Sequence, residues 1–150
     1  MVARKSLKQD FCPSARALDV IGDWWSLLIV RDAFDGLTRF GEFQKSLGIA
    51  RNILTERLRR LIASGILESV AASEGGARME YRLTAKGKDL FPVVVALRQF
   101  GERHLFAPEE AHSHLLERAT GQPIRLEVRT QSGQLVGPDE AVIVKVPEPE

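Results

Sequence analysis

In the stretch RNILTERLRR, residues 51–60, cationic and hydrogen-bonding side chains are spaced to share one side of a helix. At 100° per residue Asn52, Glu56 and Arg59 fall together, Thr55 and Arg60 flank them, and Arg51 stands at the exposed N-terminal end. Leu54, Leu58, Leu61 and Ile62 form the opposite stripe, with Ile53 outside it. Such a helix carries the chemistry needed in a DNA major groove. Arginine reads guanine edges, asparagine reads adenine, and threonine or isoleucine touches a thymine methyl. An amphipathic core helix with a solvated face fits the same spacing, so the neighbouring elements must decide.

Those neighbours build a frame. Phe40, Phe43 and Leu47 space a short helix that Gly48 ends, and the helix from about Ala50 to Ser64 is closed by Gly65. Upstream, Cys12-Pro13-Ser14 starts a helix with Ala17, Leu18 and Ile21 on its apolar face, ended by Gly22. Asp23 is placed to cap the next helix, Trp24 to Phe34, which Gly36 stops. Downstream the period changes. Ile66–Ala72 reads as a strand, residues 73–77 as a polar turn, and Arg78–Leu83 alternates, with Met79, Tyr81 and Leu83 on one face and Arg78, Glu80 and Arg82 on the other. A helix-turn-helix followed by a hairpin is the order of a winged helix. Arg78, at the base of the wing, is placed for a phosphate or the minor groove; a solvated hairpin residue is the alternative.

Thr84 is placed to cap a long helix with apolar residues from Leu90 to Leu105, which Pro92 should bend or restart. Its apolar surface exceeds what a small helical core covers. Val94, Leu97 and Phe100, with the helix that starts near Pro13, are therefore expected at a dimer interface. After Pro108 come a short helix, Glu109–Ala119, and two strand-like runs, Ile124–Arg129 and Ala141–Val146. The expected fold is α+β: a winged helix-turn-helix domain with a long dimerisation helix over residues 11–106, and a small C-terminal extension, helix plus strands, over 107–150. Residues 1–11 read as an arm whose Arg4, Lys5 and Lys8 reach phosphate or serve solubility.

Composition agrees with a globular protein: 44% of residues are hydrophobic and 27% charged. No apolar run approaches the roughly 20 residues that span a bilayer, and the charged N-terminus has no signal-peptide core, so a cytoplasmic location is expected. The formal net charge of +1 hides an asymmetry. Residues 1–106 carry 17 Lys/Arg against 12 Asp/Glu, and residues 107–150 carry 4 against 8. The half that holds the two-helix element is the basic half, as phosphate binding requires. Histidines occur at 104, 112 and 114 only; on a helix His112 and His114 would point apart. With one cysteine, no metal-ligand cluster, no phosphate loop and no nucleophile elbow, neither an enzyme nor a bound cofactor is expected.

The stretches CPSARALDVIGDWWSLLIVRDAFDG, RFGEF, LGIARNILTERLRRLIASGILE and EYRLTAKGKDL together resemble the HxlR-type winged helix-turn-helix regulators. The resemblance rests on Cys12-Pro13, Ile21-Gly22 before Trp25, Arg39-Phe40, the leucine spacing from Leu54 to Leu61, and Tyr81, Leu83, Thr84 and Gly87. It covers about residues 11–106. It implies a bacterial, homodimeric, sequence-specific transcription regulator of double-stranded DNA that dimerises through its first helix and the long helix after the wing. It also implies that Cys12 serves as a redox sensor, as the cysteine at this position does in some members; a helix start favours the thiolate and Arg16 could add charge. A small core hydrophobe is the other reading of Cys12. Two further readings stay open: a winged-helix module that binds protein without DNA, and a small-molecule effector held by Trp24, Trp25 and Phe34.

Overall fold

The computed structural model describes residues 5–72 and 74–147; Arg4 lies outside them. The chain divides into two compact units, Met1–Phe91 and Pro92–Glu150.

In the first unit four helices precede a hairpin: α1 (Pro13–Ile21), α2 (Trp24–Phe34), α3 (Phe40–Leu47) and α4 (Arg51–Ala63), then β1 (Leu67–Ala71) and β2 (Met79–Leu83). Helix α2 contacts α3, α4 and β2. Its Ile29 and Val30 are fully buried, as are Phe43 of α3 and Leu54, Leu58 and Leu61 of α4. Burial of each such side chain contributes about 1.5–3 kcal/mol, so the apolar stripe decides which way α4 faces. Ile62, placed in that stripe by its spacing, sits at its open edge and is 36% exposed. Between α3 and α4 the chain turns at Gly48, whose φ of 60° is left-handed and whose N–H donates to Gln44 O at 2.9 Å.

The strands pair antiparallel, Leu67 opposite Leu83 and Ala71 opposite Met79. Tyr81 N–H donates to Thr38 O at 2.7 Å, which fastens the hairpin to the link before α3. The alternation of β2 holds but its burial departs from expectation. Glu80 is 8% exposed and Met79 45% exposed. Glu80 tolerates its position because Arg82 donates to its carboxylate at 2.7 Å, a pairing that a buried charge requires.

The helix expected after Thr84 is two helices, α5 (Ala85–Lys88) and α6 (Phe91–His104). Pro92 marks a restart in the first turn of α6, where its missing N–H costs nothing. Thr84 caps α5 by accepting from Gly87 N–H at 3.0 Å. Its hydroxyl donates to Gly65 O, and its N–H donates to Ile66 O at 3.1 Å. A Cβ on Gly87 would stand 2.1 Å from Ile66 O, so the close approach of α5 to the end of α4 requires glycine.

In the second unit Leu97 and Phe100 of α6 are 53% and 61% exposed, Val94 is half-buried and Val95 is buried. The extension corrects two expectations. Residues 109–119 are not a helix. Arg98 donates to Ser113 Oγ at 2.7 Å and Gln99 Nε2 to Ile124 O at 3.2 Å, and these bonds lay the chain out along α6. Outside a helix the two side chains are not forced apart, and the rings of His112 and His114 lie 4.9 Å from each other. Nor do 124–129 and 141–146 form strands. Among the described residues there are only two isolated bridges, Leu116 with Pro123 and Arg129 with Leu135, each closing a tight hairpin. Residues 141–146 have no regular secondary structure.

Gly87→Ala should lower stability by about 1–3 kcal/mol, because backbone at Ile66 must move to admit the methyl. Urea unfolding checks this; a midpoint equal to that of the native chain would contradict the packing described.

Candidate nucleic-acid interface

Helix α4 is held by a carboxylate that does two jobs. Asp23 caps α2, accepting from Ser26 N–H at 2.9 Å and from Ser26 Oγ at 2.7 Å, and it also accepts from Arg57 Nε of α4 at 3.0 Å. Burial pushes the Asp23 carboxyl up, but the Ser26 hydroxyl and N–H together with Arg57 outweigh it, so the group titrates below the usual aspartate range. Arg57 thus belongs to the scaffold although it is one of four arginines on this helix.

With Arg57 turned inward, the other side of α4 is free for contact. Arg51, Asn52, Thr55 and Arg59 are exposed and Glu56 is half-exposed. The predicted face is therefore assembled as the spacing implied. Its side chains differ in readiness. Arg51 lies over the Phe40 ring, 5.4 Å from its centroid, a cation–π contact that orders the guanidinium. Arg59 grips Glu56 with Nε at 3.1 Å and Nη2 at 2.8 Å. That hydrogen bond holds Glu56 below the usual carboxylate range and raises Arg59. Both are surface groups, so the pair stabilises the fold little and gives way readily to a better partner. Thr55 donates its hydroxyl to Arg51 O at 2.9 Å, leaving its methyl and oxygen lone pairs outward. Asn52 makes no side-chain hydrogen bond among the described residues, so its amide can pair with an adenine edge.

The N-terminus of α4 has no side-chain cap, since Ala50 occupies the N-cap. Its first amide groups and the positive end of the helix dipole therefore face outward beside Arg51, a combination suited to phosphate. Beside this face lies a cleft of about 850 Å³ between α4, the start of α3 and the hairpin. Arg39, Arg51, Arg59 and Arg78 line it. The predicted wing residue Arg78 is thus brought to the same surface as α4. Arg39 was not among the expected site residues; its signal was the Arg39-Phe40 pair that opens α3. Its neighbour Glu42 accepts from Thr38 and Arg39 N–H groups at 2.9 and 3.0 Å, which hold its carboxyl below the usual range and cap α3.

The other expected sites are dispersed. Trp24 is 73% exposed and meets Trp25 edge-on at 5.9 Å, while Phe34 pairs with Phe91 at 5.4 Å. Trp24 and Phe34 sit at opposite ends of α2, about 15 Å apart along its axis, so the three do not make one pocket. Cys12 is exposed at the N-cap of α1, not a core residue. Arg16 Nε donates to Asp10 O at 2.6 Å, so that bond goes to a backbone carbonyl and not to the thiol. No helix among the described residues is long and apolar enough to cross a membrane.

Comparison with known proteins bears on this surface. A family model described as HxlR-like helix-turn-helix matches residues 20–109. An HTH-type transcriptional regulator of Mycobacterium tuberculosis, Rv3095, is 43% identical over 115 residues, 77% of this chain; the match spans 66% of that protein, just under two thirds of its length. YybR of Bacillus subtilis, named in the same way, is 36% identical over 61% of this chain and 74% of its own. Among solved structures, PA1607, a candidate transcription factor, is 55% identical with a TM-score of 0.88, covering 93% of this chain and 99% of that one. The redox regulator HypR in its reduced form is 34% identical with a TM-score of 0.58, covering 63% and 94%.

The Asp23 contacts make stability pH-dependent in a stated direction. The carboxyl is depressed in the folded state, so its contribution is complete at neutral pH. It declines as pH falls through the ordinary aspartate range near about 4 and is gone below the lowered folded value. Asp23→Asn should cost about 1–2 kcal/mol at pH 7 and flatten that part of the profile. Urea titrations of both chains from pH 7 to pH 3 check it; parallel profiles would show that Asp23 is not the group responsible.

Proposed function

The chain belongs to the HxlR-like helix-turn-helix family, and we propose that it is a sequence-specific, DNA-binding transcription regulator acting as a homodimer. The observation that carries the reading is the exposed face of α4, with Arg51, Asn52, Thr55, Glu56 and Arg59 above a fully buried leucine stripe and beside an arginine-lined cleft. Base edges in the major groove meet Asn52, Glu56 and Arg59. Arg51 and the uncapped helix start meet phosphate, and Arg78 extends the contact from the wing. The reading is of a non-enzymatic cytoplasmic protein. A protein-binding winged helix would have no use for these residues as a cationic donor face.

Two half-sites a helical turn apart, about 34 Å, require two copies of α4. The interface is assigned to Val94, Leu97 and Phe100 of α6, together with α1; the apolar exposure of Leu97 and Phe100 supports it. Residues 11–106 then serve DNA binding and dimerisation, and 107–150 form an extension with no assigned role.

Selection from a random DNA pool should return a two-part site. Arg59→Ala should weaken binding to it by roughly tenfold or more and relax preference at one position in each half-site. Phe100→Glu should yield a monomer by light scattering and lose two-site binding. Unchanged selectivity in the first variant, or a monomeric native chain at micromolar concentration, would overturn the corresponding assignment.

A second reading, redox sensing through Cys12, is favoured by the exposure of the thiol and by the likeness to HypR. As the single cysteine of the chain, it can reach a sulfenate, a mixed disulfide with a small thiol, or a bridge between subunits. DNA affinity before and after mild peroxide should differ for the native chain and not for Cys12→Ser. Equal affinities with an unmodified thiol by mass spectrometry would make Cys12 structural.

A further inference from the structure

The cleft beside α4 has a floor that phosphate contact does not explain. Leu58 and Ile62 of α4, Met79 and Tyr81 of β2 and Phe40 of α3 all line it. Ile62 and Met79 are 36% and 45% exposed there, so apolar surface is left open to water beneath the arginines. The lining residues of α4 are 51, 55, 58, 59 and 62, the side of the helix turned to the hairpin. Asn52 and Glu56 are not among them. The cleft is therefore the flank of the reading helix and not its outer face. A phosphodiester backbone is anionic along its edge and gains little from a leucine-isoleucine-methionine floor. An apolar floor with a cationic rim instead matches a molecule that is apolar at one end and anionic at the other.

The rim arginines differ in what already holds them. Arg59 is bound to Glu56 and Arg51 is stacked on Phe40. Arg39 has a long contact, 3.6 Å, to the exposed Glu74 and a minor electrostatic interaction with Glu42, and Arg78 makes no ion pair among the described residues. The one acid in the lining, Glu42, is occupied by two backbone N–H groups. The fork of a guanidinium matches a carboxylate in geometry, and Tyr81 lines the cleft beside Ile62 and Met79.

We propose that this cleft is an effector site for an aromatic carboxylate, held with its ring on the Ile62–Met79 floor and its carboxylate on Arg39 and Arg78, and that the occupant competes directly with DNA. The proposal rests on the assignment of α4 and Arg78 to DNA, since they supply both surfaces. Bound ligand occupies Arg78, which the wing needs for its DNA contact, and fills the gap between α4 and the hairpin.

The test uses 1-naphthoate as the probe on the full chain. Its size and ordinary ligand efficiency place its Kd at about 1 mM or tighter. Calorimetry on the DNA-free protein should find one site per chain. At about 10 mM probe the apparent Kd for the selected DNA should rise about tenfold, while sodium acetate, inorganic phosphate and 1-naphthalenemethanol at the same concentration leave it unchanged. Ile62→Gln/Met79→Gln, at partly exposed positions with no assigned DNA contact, should keep DNA binding and lose the response. The proposal is overturned if naphthoate gives no binding heat or leaves DNA affinity unchanged, if phosphate or the neutral alcohol acts equally, or if the double variant responds like the native chain. A native chain that selects no DNA would instead refute the assignment of α4, and the calorimetry would still decide for or against the ligand site.

Discussion

The surface proposed for DNA depends on where one carboxylate points. Asp23 closes the start of α2 and, 34 residues further along the chain, takes the Arg57 side chain of α4. A cap alone would stabilise one helix. A cap that also binds a second helix ties the register of α4 to the start of α2, so Asn52, Glu56 and Arg59 face outward as a consequence. The leucines at 54, 58 and 61 set the roll of α4 approximately through burial, which is non-directional. The ion pair, with its directional geometry, removes the remaining freedom. Asn52, Glu56 and Arg59 take part in neither contact, which leaves them free for the readout proposed for them.

The wing is fixed by a second set of polar contacts at its base. Thr84 ties the end of β2 to Gly65 and Ile66 at the end of α4, and Gly87 lets α5 come close enough for it. Tyr81 N–H ties the middle of β2 to Thr38 ahead of α3. Of the motif residues, Thr84 and Gly87 are thus accounted for by anchoring at the base of the wing. Helix α4, the start of α3 and the hairpin become three walls of one cleft.

Much of this was legible in the chain itself, where local chemistry is decisive. Pro13, Asp23, Gly36, Gly48 and Gly65 mark helix ends through backbone requirements that do not depend on distant partners, and α1 to α4 fall where those residues placed them. The outward face of α4 followed from its period. What escaped was tertiary. Arg57 and Arg59 are two residues apart and chemically alike, yet one is structural and the other exposed; only the location of Asp23 separates them. Glu80 is buried because Arg82 covers it, a relation that alternation assigns to solvent. In the extension, β-branched composition suggested strands, but a strand needs a neighbour to pair with, and hydrogen bonds from Arg98 and Gln99 set the path of the chain more strongly than its helix propensity did.

Residues 141–146 carry a consequence for how the molecule behaves in concentrated solution. Val142, Ile143 and Val144 are 86%, 81% and 90% exposed and lie outside any helix or strand. An exposed run of consecutive β-branched residues has the composition that favours cross-β association between chains. Lys145 follows the run and Pro147 lies just beyond it. A charge that repels its own copy and a residue that cannot donate to a ladder are the usual gatekeepers of such a segment. A tendency to self-associate would thus reside in a stretch remote in sequence from every residue assigned to reading DNA.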